Sequence, residues 1–400
     1  MTPDEIPLGY YTHLNYAFLY IDPDTFEVAA MDSETGSLYA NVTDLKNKQP
    51  DLKVWISVGG WSFNDEGSTE HTFSDLVASK SAQKTFFASV ISLMINKGFD
   101  GLDVDWEYPA ATDRYGTDAD FDNYVSFLQN LRDAFDASSY NFGLSITLPS
   151  SYWYMQHFDI VSIDPIIDWF NVMTYDLHGV WDSTDPYIGS VALAHTNLTE
   201  ITESLDLLWR NNIDPSKVNL GLGFYGRSFT MSDSSCMTAG CPFSGAGTAG
   251  PCTASAGILS DIEIRNIIAD GATVTLDETA AVQIVTWDTN QWVSYDDATT
   301  MKMKIDYANS ICLGGTIIWA VDLDDSNGTS IDYLGSGLNR TASTIYNDTT
   351  VENPGDLGSA IDSDDSTSSK KRSVGESFLG PQLNHHRHGT HGRKGRSWWQ

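Results

Sequence analysis

The stretch Phe99-Asp100-Gly101-Leu102-Asp103-Val104-Asp105-Trp106-Glu107-Tyr108-Pro109 sets a carboxylate at every second position of an apolar run. Residues two apart on a β-strand share a face. The run therefore predicts a strand over 99–107 with Asp103, Asp105 and Glu107 in one row and Leu102, Val104 and Trp106 on the other face. Neighbours in such a row lie about 6.5 Å apart, and in a water-poor site three acids that close resist ionising together. One proton is expected to be held among them. Asp-x-Asp-x-Asp spacing also occurs in calcium-binding loops, which favour Gly and Asn between the acids. Val, Leu and Trp stand there instead, which favours a strand. A glutamate at the C-terminal end of a buried strand is where α/β barrels place their chemistry.

Strand-like and helix-like segments alternate on both sides of this run. Residues 13–21 and 52–58 are apolar and rich in β-formers, and 81–97 carry Phe86, Phe87, Val90, Ile91, Leu93 and Met94 at helical spacing before Gly98. Helical periodicity over 120–135 and 198–211 separates strands expected at 142–149, 167–175 and 217–224, and a last strand is expected at 314–321. Such alternation predicts a parallel sheet with helices outside it. Between Phe224 and Gly315 the alternation lapses. That interval holds a Gly/Pro/Ser-rich loop, a short helix near 258–269, an alternating segment at 282–287 and a helix over 297–310. Cys236, Cys241 and Cys252 in the loop read as a disulfide framework in preference to zinc ligands, with Cys312 as an available fourth partner and the connectivity open.

Five motifs fall at the ends of these strands: Ser57-Val58-Gly59-Gly60-Trp61, the acid row Asp100-x-x-Asp103-x-Asp105-x-Glu107, Met173-Thr174-Tyr175-Asp176, Gly223-Phe224-Tyr225-Gly226-Arg227 and Ile318-Trp319-Ala320. Together they resemble glycoside hydrolase family 18, the chitinases and their relatives, over residues 13–325, with the fungal class V type as the nearest pattern. The resemblance implies a TIM (β/α)8 barrel with a small α+β module inserted after the seventh strand, here about 228–294. It also implies retaining hydrolysis of β-1,4-linked N-acetylglucosamine polymers, endo-type, in which the substrate's own acetamido oxygen is the nucleophile and no cofactor or metal is needed. Carried onto this chain, Glu107 is the implied general acid and base. Asp105 orients the acetamido group, Asp103 shares a proton with Asp105, and Tyr175 donates to the acetamido oxygen. Trp319 is the apolar floor, and Gly60, Trp61, Tyr108, Met173, Asp176, Tyr225 and Arg227 line the substrate site. Two rivals stay open: a lectin-like member that binds chitin without cleaving it, and an endo-β-N-acetylglucosaminidase acting on N-glycans. The presence of Glu107 argues against the lectin.

The 400 residues carry a net charge of −32, with 41% hydrophobic content. Residues 370–400 hold seven basic residues and one acid, leaving a net of −38 on the rest. Such a surface repels nucleic acid and anionic membranes and suits a neutral or cationic polymer such as chitin or its oligosaccharides; the chain is expected to be a monomer. Sequons at Asn41, Asn197, Asn327, Asn339 and Asn347 point to secretion. Residues 1–345 are read as the catalytic barrel and 346–400 as linker and disordered tail, in which His385, His386, Arg387, His388 and His391 are tail residues and not metal ligands. Met1-Thr2-Pro3-Asp4-Glu5-Ile6 has neither a basic nor an apolar leader region. Seven strands are counted where a closed barrel needs eight, and in the family the acid motif ends strand four. A first strand and a signal peptide are therefore expected upstream of Thr2. Without that strand the edges at 13–21 and 314–321 stay unpaired, from which poor solubility of residues 1–400 alone is expected.

Overall fold

The computed structural model describes residues 1–338 and 340–342; the tail at 346–400 and the sequons at Asn339 and Asn347 lie outside the described residues. The strands are β1 (His13–Ile21), β2 (Val28–Ala30), β3 (Lys53–Gly59), β4 (Gly101–Asp105), β5 (Gly143–Pro149), β6 (Trp169–Met173), β7 (Val218–Gly223), β8 (Tyr225–Met231), β9 (Phe243–Ala246), β10 (Ile258–Ser260), β11 (Thr273–Asp277), β12 (Val282–Trp287), β13 (Gln291–Tyr295) and β14 (Gly315–Trp319). One sheet runs β14-β7-β6-β5-β4-β3-β1-β2. Its first seven members are mutually parallel, and β2 is antiparallel to Leu19–Ile21 of β1.

This is a TIM-barrel-type α/β sheet, and its seven parallel strands are those counted from the sequence. β14 and β2 stand at opposite ends of the hydrogen-bonded order and are not paired to each other, so the sheet stays open along one seam; β2 covers only Leu19–Ile21 of the β1 edge. At the mouth of the seam the Phe18 and Trp319 rings stack with centroids 5.5 Å apart.

Local signals explain how β4 is delivered to the centre of this sheet. Ser79 caps the helix Lys80–Lys97 by accepting from the Ala82 N–H at 3.2 Å, and Gly98 ends it at φ 80°, a left-handed turn that glycine adopts freely. Phe86, Val90 and Met94 of this helix share one buried cluster with Leu102 and Val104 of β4 and with Tyr124, Phe127 and Leu128 of the helix Asp120–Ala137. Trp106 continues that face beyond the strand, stacked on Phe73 (5.2 Å) and edge-on to Tyr124 (5.1 Å). Burial of one such ring is worth roughly 2–3 kcal/mol.

The strand itself is shorter than 99–107. Its last pairs are Asp105 with Gly59, where β3 ends, and Val104 with Ile146, beyond which β5 pairs only with β6, so Glu107 sits on the extension past the last pair.

The interval after β7 forms a second, antiparallel sheet, β10-β8-β13-β12-β11 with β9 on β8. It begins at Tyr225, before the expected boundary at 228, and Arg227 is already inside it, opposite Ile258 and Ser294. One disulfide, Cys236–Cys241, staples its loop, while Cys252 and Cys312 are exposed and unbridged. Of the four cysteines left open to pairing, Cys236 and Cys241 are the two that are bridged. Cys252 is tied through its N–H to Glu263 in the module, whereas Cys312 follows the barrel helix Ala298–Ser310.

The end of the barrel away from the acids is plugged by Trp55 and Trp169, stacked at 4.4 Å with His13 edge-on to both. A Cβ on Gly101 or Gly143 would lie 2.4 or 2.0 Å from the Trp55 ring, so only glycine leaves room for the plug. Gly143→Val is accordingly expected to destabilise the fold by about 1–3 kcal/mol through overpacking. A melting temperature equal to that of the parent chain contradicts this account of the plug.

Candidate active site

Four neighbouring side chains converge on Asp103. Ser145 Oγ (2.6 Å) and Asn171 Nδ2 (2.9 Å) donate to its Oδ1, and Ser57 Oγ and Thr147 Oγ1 (both 3.1 Å) donate to its Oδ2. Strand register makes this possible: Ser57, Asp103 and Ser145 are direct partners across β3, β4 and β5, and Thr147 pairs with Asn171 one step further round. Burial raises the Asp103 carboxyl on balance, and the four donors partly offset that rise and favour its ionised form.

Asp105 has no such cage. Its Oδ1 is buried without a hydrogen-bond partner among the described residues. Burial, followed by the charges of Glu107 and Asp103, raises its carboxyl well above the ordinary range. The two surroundings favour Asp105 over Asp103 as the holder of the row's proton. Glu107 is also buried, which pushes its carboxyl up to about 7. A hydrogen bond from Tyr108 and the charge of Arg114 oppose that rise, and Asp176 and Asp65 add to it.

Gly59 and Gly60 end β3 at φ 111° and 86°. What approaches them is the acid strand itself: the Gly60 N–H donates to the Asp105 carbonyl at 2.9 Å, and a Cβ on Gly59 would lie 2.1 Å from that carbonyl. The bare Cα positions of the pair thus admit the Asp105 backbone and the Phe18 ring, while Gly60 also lines the cleft. Beyond the strand, Arg114 gathers the loops. It donates through Nε to the Glu107 carbonyl (3.0 Å), through a second nitrogen to the Trp61 carbonyl and through a third to Asp65 (3.0 Å), while its guanidinium lies 3.7 Å from the Trp61 ring centroid.

Asp176 accepts from Tyr225 Oη (2.6 Å) and from Arg227 Nε (2.7 Å) and Nη2. Burial alone would raise its carboxyl, but the Arg227 charge, the proximity of His195 and the hydrogen bonds from Arg227 together outweigh this and hold it far below the usual carboxylate range.

One cavity of about 2430 Å³ joins these parts, larger than a typical ligand pocket of ~300–1,000 Å³ because it continues into the open seam. Asp103, Asp105, Glu107, Gly60, Trp61, Tyr108, Met173, Tyr175, Asp176, Arg227 and Trp319 all line it. Tyr225 does not. It is buried and reaches the cleft only through Asp176. Arg114, Asn171, Ser145 and Thr147 escaped the sequence reading, although Ser145, Thr147 and Asn171 carry a signal, as polar residues alternating with apolar ones in interior strands.

A row of three buried carboxyls, each raised by burial and in unlike surroundings, at the carboxyl ends of parallel strands, is an acid–base site of the kind barrel enzymes carry. Residues 2–324 match the family described as glycosyl hydrolases family 18, and the chain belongs to that family. Among its relatives, the Secreted chitinase LysM12 of Penicillium expansum is 32% identical over 336 residues, 79% of this chain but 22% of that protein. Chitotriosidase-1 of Mus musculus is 31% identical, over 82% of this chain and 70% of its own. The chain thus spans about a fifth of the Penicillium relative. Among solved structures, the Ostrinia furnacalis Group IV chitinase in complex with allosamidin superposes with a TM-score of 0.75 at 30% identity, covering 85% of this chain and 94% of that one. A family 18 chitinase from Cycas revoluta in complex with (GlcNAc)3 does so with 0.73 at 27% identity, covering 84% and 95%.

The positive charge of Arg114 stabilises the ionised form of Glu107, so removing that charge should make the carboxyl hold its proton to higher pH. For Arg114→Met, the titration midpoint of Glu107 followed by carboxyl 13C NMR is expected above the parent value of about 7. A midpoint that stays put or falls excludes that electrostatic role.

Proposed function

We propose that this chain hydrolyses β-1,4-linked N-acetylglucosamine polymers and oligosaccharides, with retention and by substrate assistance. The observation that carries the reading is the unlike surroundings of the three carboxyls: Asp103 accepts hydrogen bonds from four side chains, Asp105 Oδ1 has no partner among the described residues, and burial pushes Glu107 up to about 7. The neighbours bound to allosamidin and (GlcNAc)3 support the substrate class.

In this reading Glu107 protonates the leaving glycosidic oxygen while the acetamido oxygen of the sugar attacks its own anomeric carbon. Asp105 turns toward the acetamido N–H and passes its proton to Glu107, which arms the acid. The resulting Asp105 carboxylate then accepts from that N–H and offsets the positive charge of the oxazolinium. Asp103 stays ionised throughout and keeps the neighbouring proton mobile. Tyr175 donates to the acetamido oxygen, and Trp319, backed by Phe18, forms the apolar floor. Water activated by Glu107 opens the intermediate on the face that the leaving group vacated.

Residues 1–345 form the catalytic unit in this proposal, with the module walling one side of the cleft. Endo-type action fits an open cleft. The Cys236–Cys241 bridge, the sequons and the secreted Penicillium relative together support an extracellular protein.

Glu107→Gln is expected to reduce hydrolysis of a chitin tetrasaccharide by about 10²–10⁴-fold, the usual contribution of a general acid, while binding changes only a few-fold. Substantial turnover in the variant reassigns the acid. The first product detected by rapid NMR should be the β-anomer, since two displacements at one carbon restore its configuration; an α-anomer rules the mechanism out.

A further inference from the structure

We infer that His195 is a positioning residue of this site: a neutral imidazole, protonated on Nε2, that holds the backbone turn at Asp176 and so aims both Tyr175 and Asp176. The inference rests on the roles proposed above for those two residues. His195 is fully buried and does not line the cleft.

Its tautomer follows from its two partners. Nε2 lies 3.1 Å from the Tyr225 carbonyl, which can only accept, so Nε2 carries a hydrogen. The Asp176 backbone N–H, which can only donate, points at Nδ1 from 3.3 Å, so Nδ1 offers a lone pair. A charged imidazolium facing the Asp176 carboxylate is the rival arrangement, with Nδ1 and Oδ1 3.6 Å apart. That separation is long for a hydrogen bond. Oδ1 is already served by Tyr225 and Arg227, and a proton on Nδ1 would abut the Asp176 N–H.

The turn needs a holder. Asp176 adopts φ 57°, a left-handed conformation that side-chain residues enter at a cost, and it follows Tyr175 directly. On the other flank, Thr174 Oγ1 donates to the Gly221 carbonyl at 2.6 Å. With Thr174 and Asp176 both tied, the intervening Tyr175 has little freedom.

His195 is itself gripped by the α+β module. Ala192 N–H donates to the Cys241 carbonyl (2.9 Å), and Leu198 N–H donates to the Ala280 carbonyl (2.8 Å). Thr196 Oγ1 donates to Asp296 (2.8 Å), whose other oxygen pairs with the buried Lys304. Those contacts come from three separate parts of the module and its exit, and they hold residues 192–198 as one support. The module therefore supplies more than a wall: through His195 its rigidity reaches Tyr175.

Two variants separate a hydrogen-bonding role from a packing role. Asn at 195 can present an amide oxygen near the Nδ1 position, whereas Phe preserves ring volume but leaves the buried Asp176 N–H unpaired. For His195→Phe, kcat on a chitin tetrasaccharide is expected to fall about tenfold, the penalty of one unsatisfied buried donor, with KM changed less than about threefold, as befits a loss felt at the reaction step. His195→Asn should retain more kcat than His195→Phe. In the parent chain, long-range 1H–15N correlations of 15N-histidine should show His195 protonated on Nε2 alone. A proton on Nδ1, or a Phe variant with as much kcat as the Asn variant, overturns the inference. If the parent chain does not cleave the oligosaccharide, the hydrolase reading fails, while the tautomer measurement still decides whether His195 holds Asp176.

Discussion

Three carboxyls on consecutive same-face positions of one chain segment, all buried, cannot all be charged, and the interior of the barrel is arranged around that constraint. The solution is to give the proton a fixed address. Register across β3, β4 and β5 sets Ser57 and Ser145 beside Asp103, and Asn219 donates to Asn171, which in turn donates to Asp103. Polar groups drawn from four parallel strands thus serve one carboxylate. Asp105, one step higher, meets no such donors and takes the proton.

A second set of charges tunes the mouth. The Arg227 guanidinium keeps Asp176 ionised, and that anion, with Asp65, adds to the burial that raises Glu107. Arg114 works in the opposite sense and ties the Glu107 carbonyl to the Trp61 loop. Position near neutrality is therefore a balance between burial and four named neighbours, and the same residues that set the balance also set the shape of the cleft.

The parallel strands and the acid row were legible because period-two and period-3.6 patterns survive in a single chain, and Leu102, Val104 and Trp106 needed no partner to be recognised as one face. What stayed hidden depended on pairing between distant segments. Ser145 and Asn171 acquire meaning only once β5 and β6 are set beside β4. Arg114 lies in a short 3₁₀ turn with no periodic signal, and its role comes from three loops meeting there. β4 is shorter than its alternation suggests because the alternation continues to Glu107 after pairing with β3 and β5 has ended. Tyr225 was placed in the cleft on motif alone; the structure turns its hydroxyl to Asp176 and buries the ring. The closeness of Gly59 and Gly60 to the Asp105 backbone likewise depends on β3 lying beside β4.

The central claim is that the row holds its proton on Asp105 and leaves Asp103 ionised. Neutron diffraction from deuterated crystals grown near pH 6 reads this directly. A deuteron on an Asp105 oxygen, with both Asp103 oxygens bare and accepting from Ser57, Ser145, Thr147 and Asn171, is the result the account predicts. A deuteron on Asp103, or an Asp105 carboxyl without one, contradicts it.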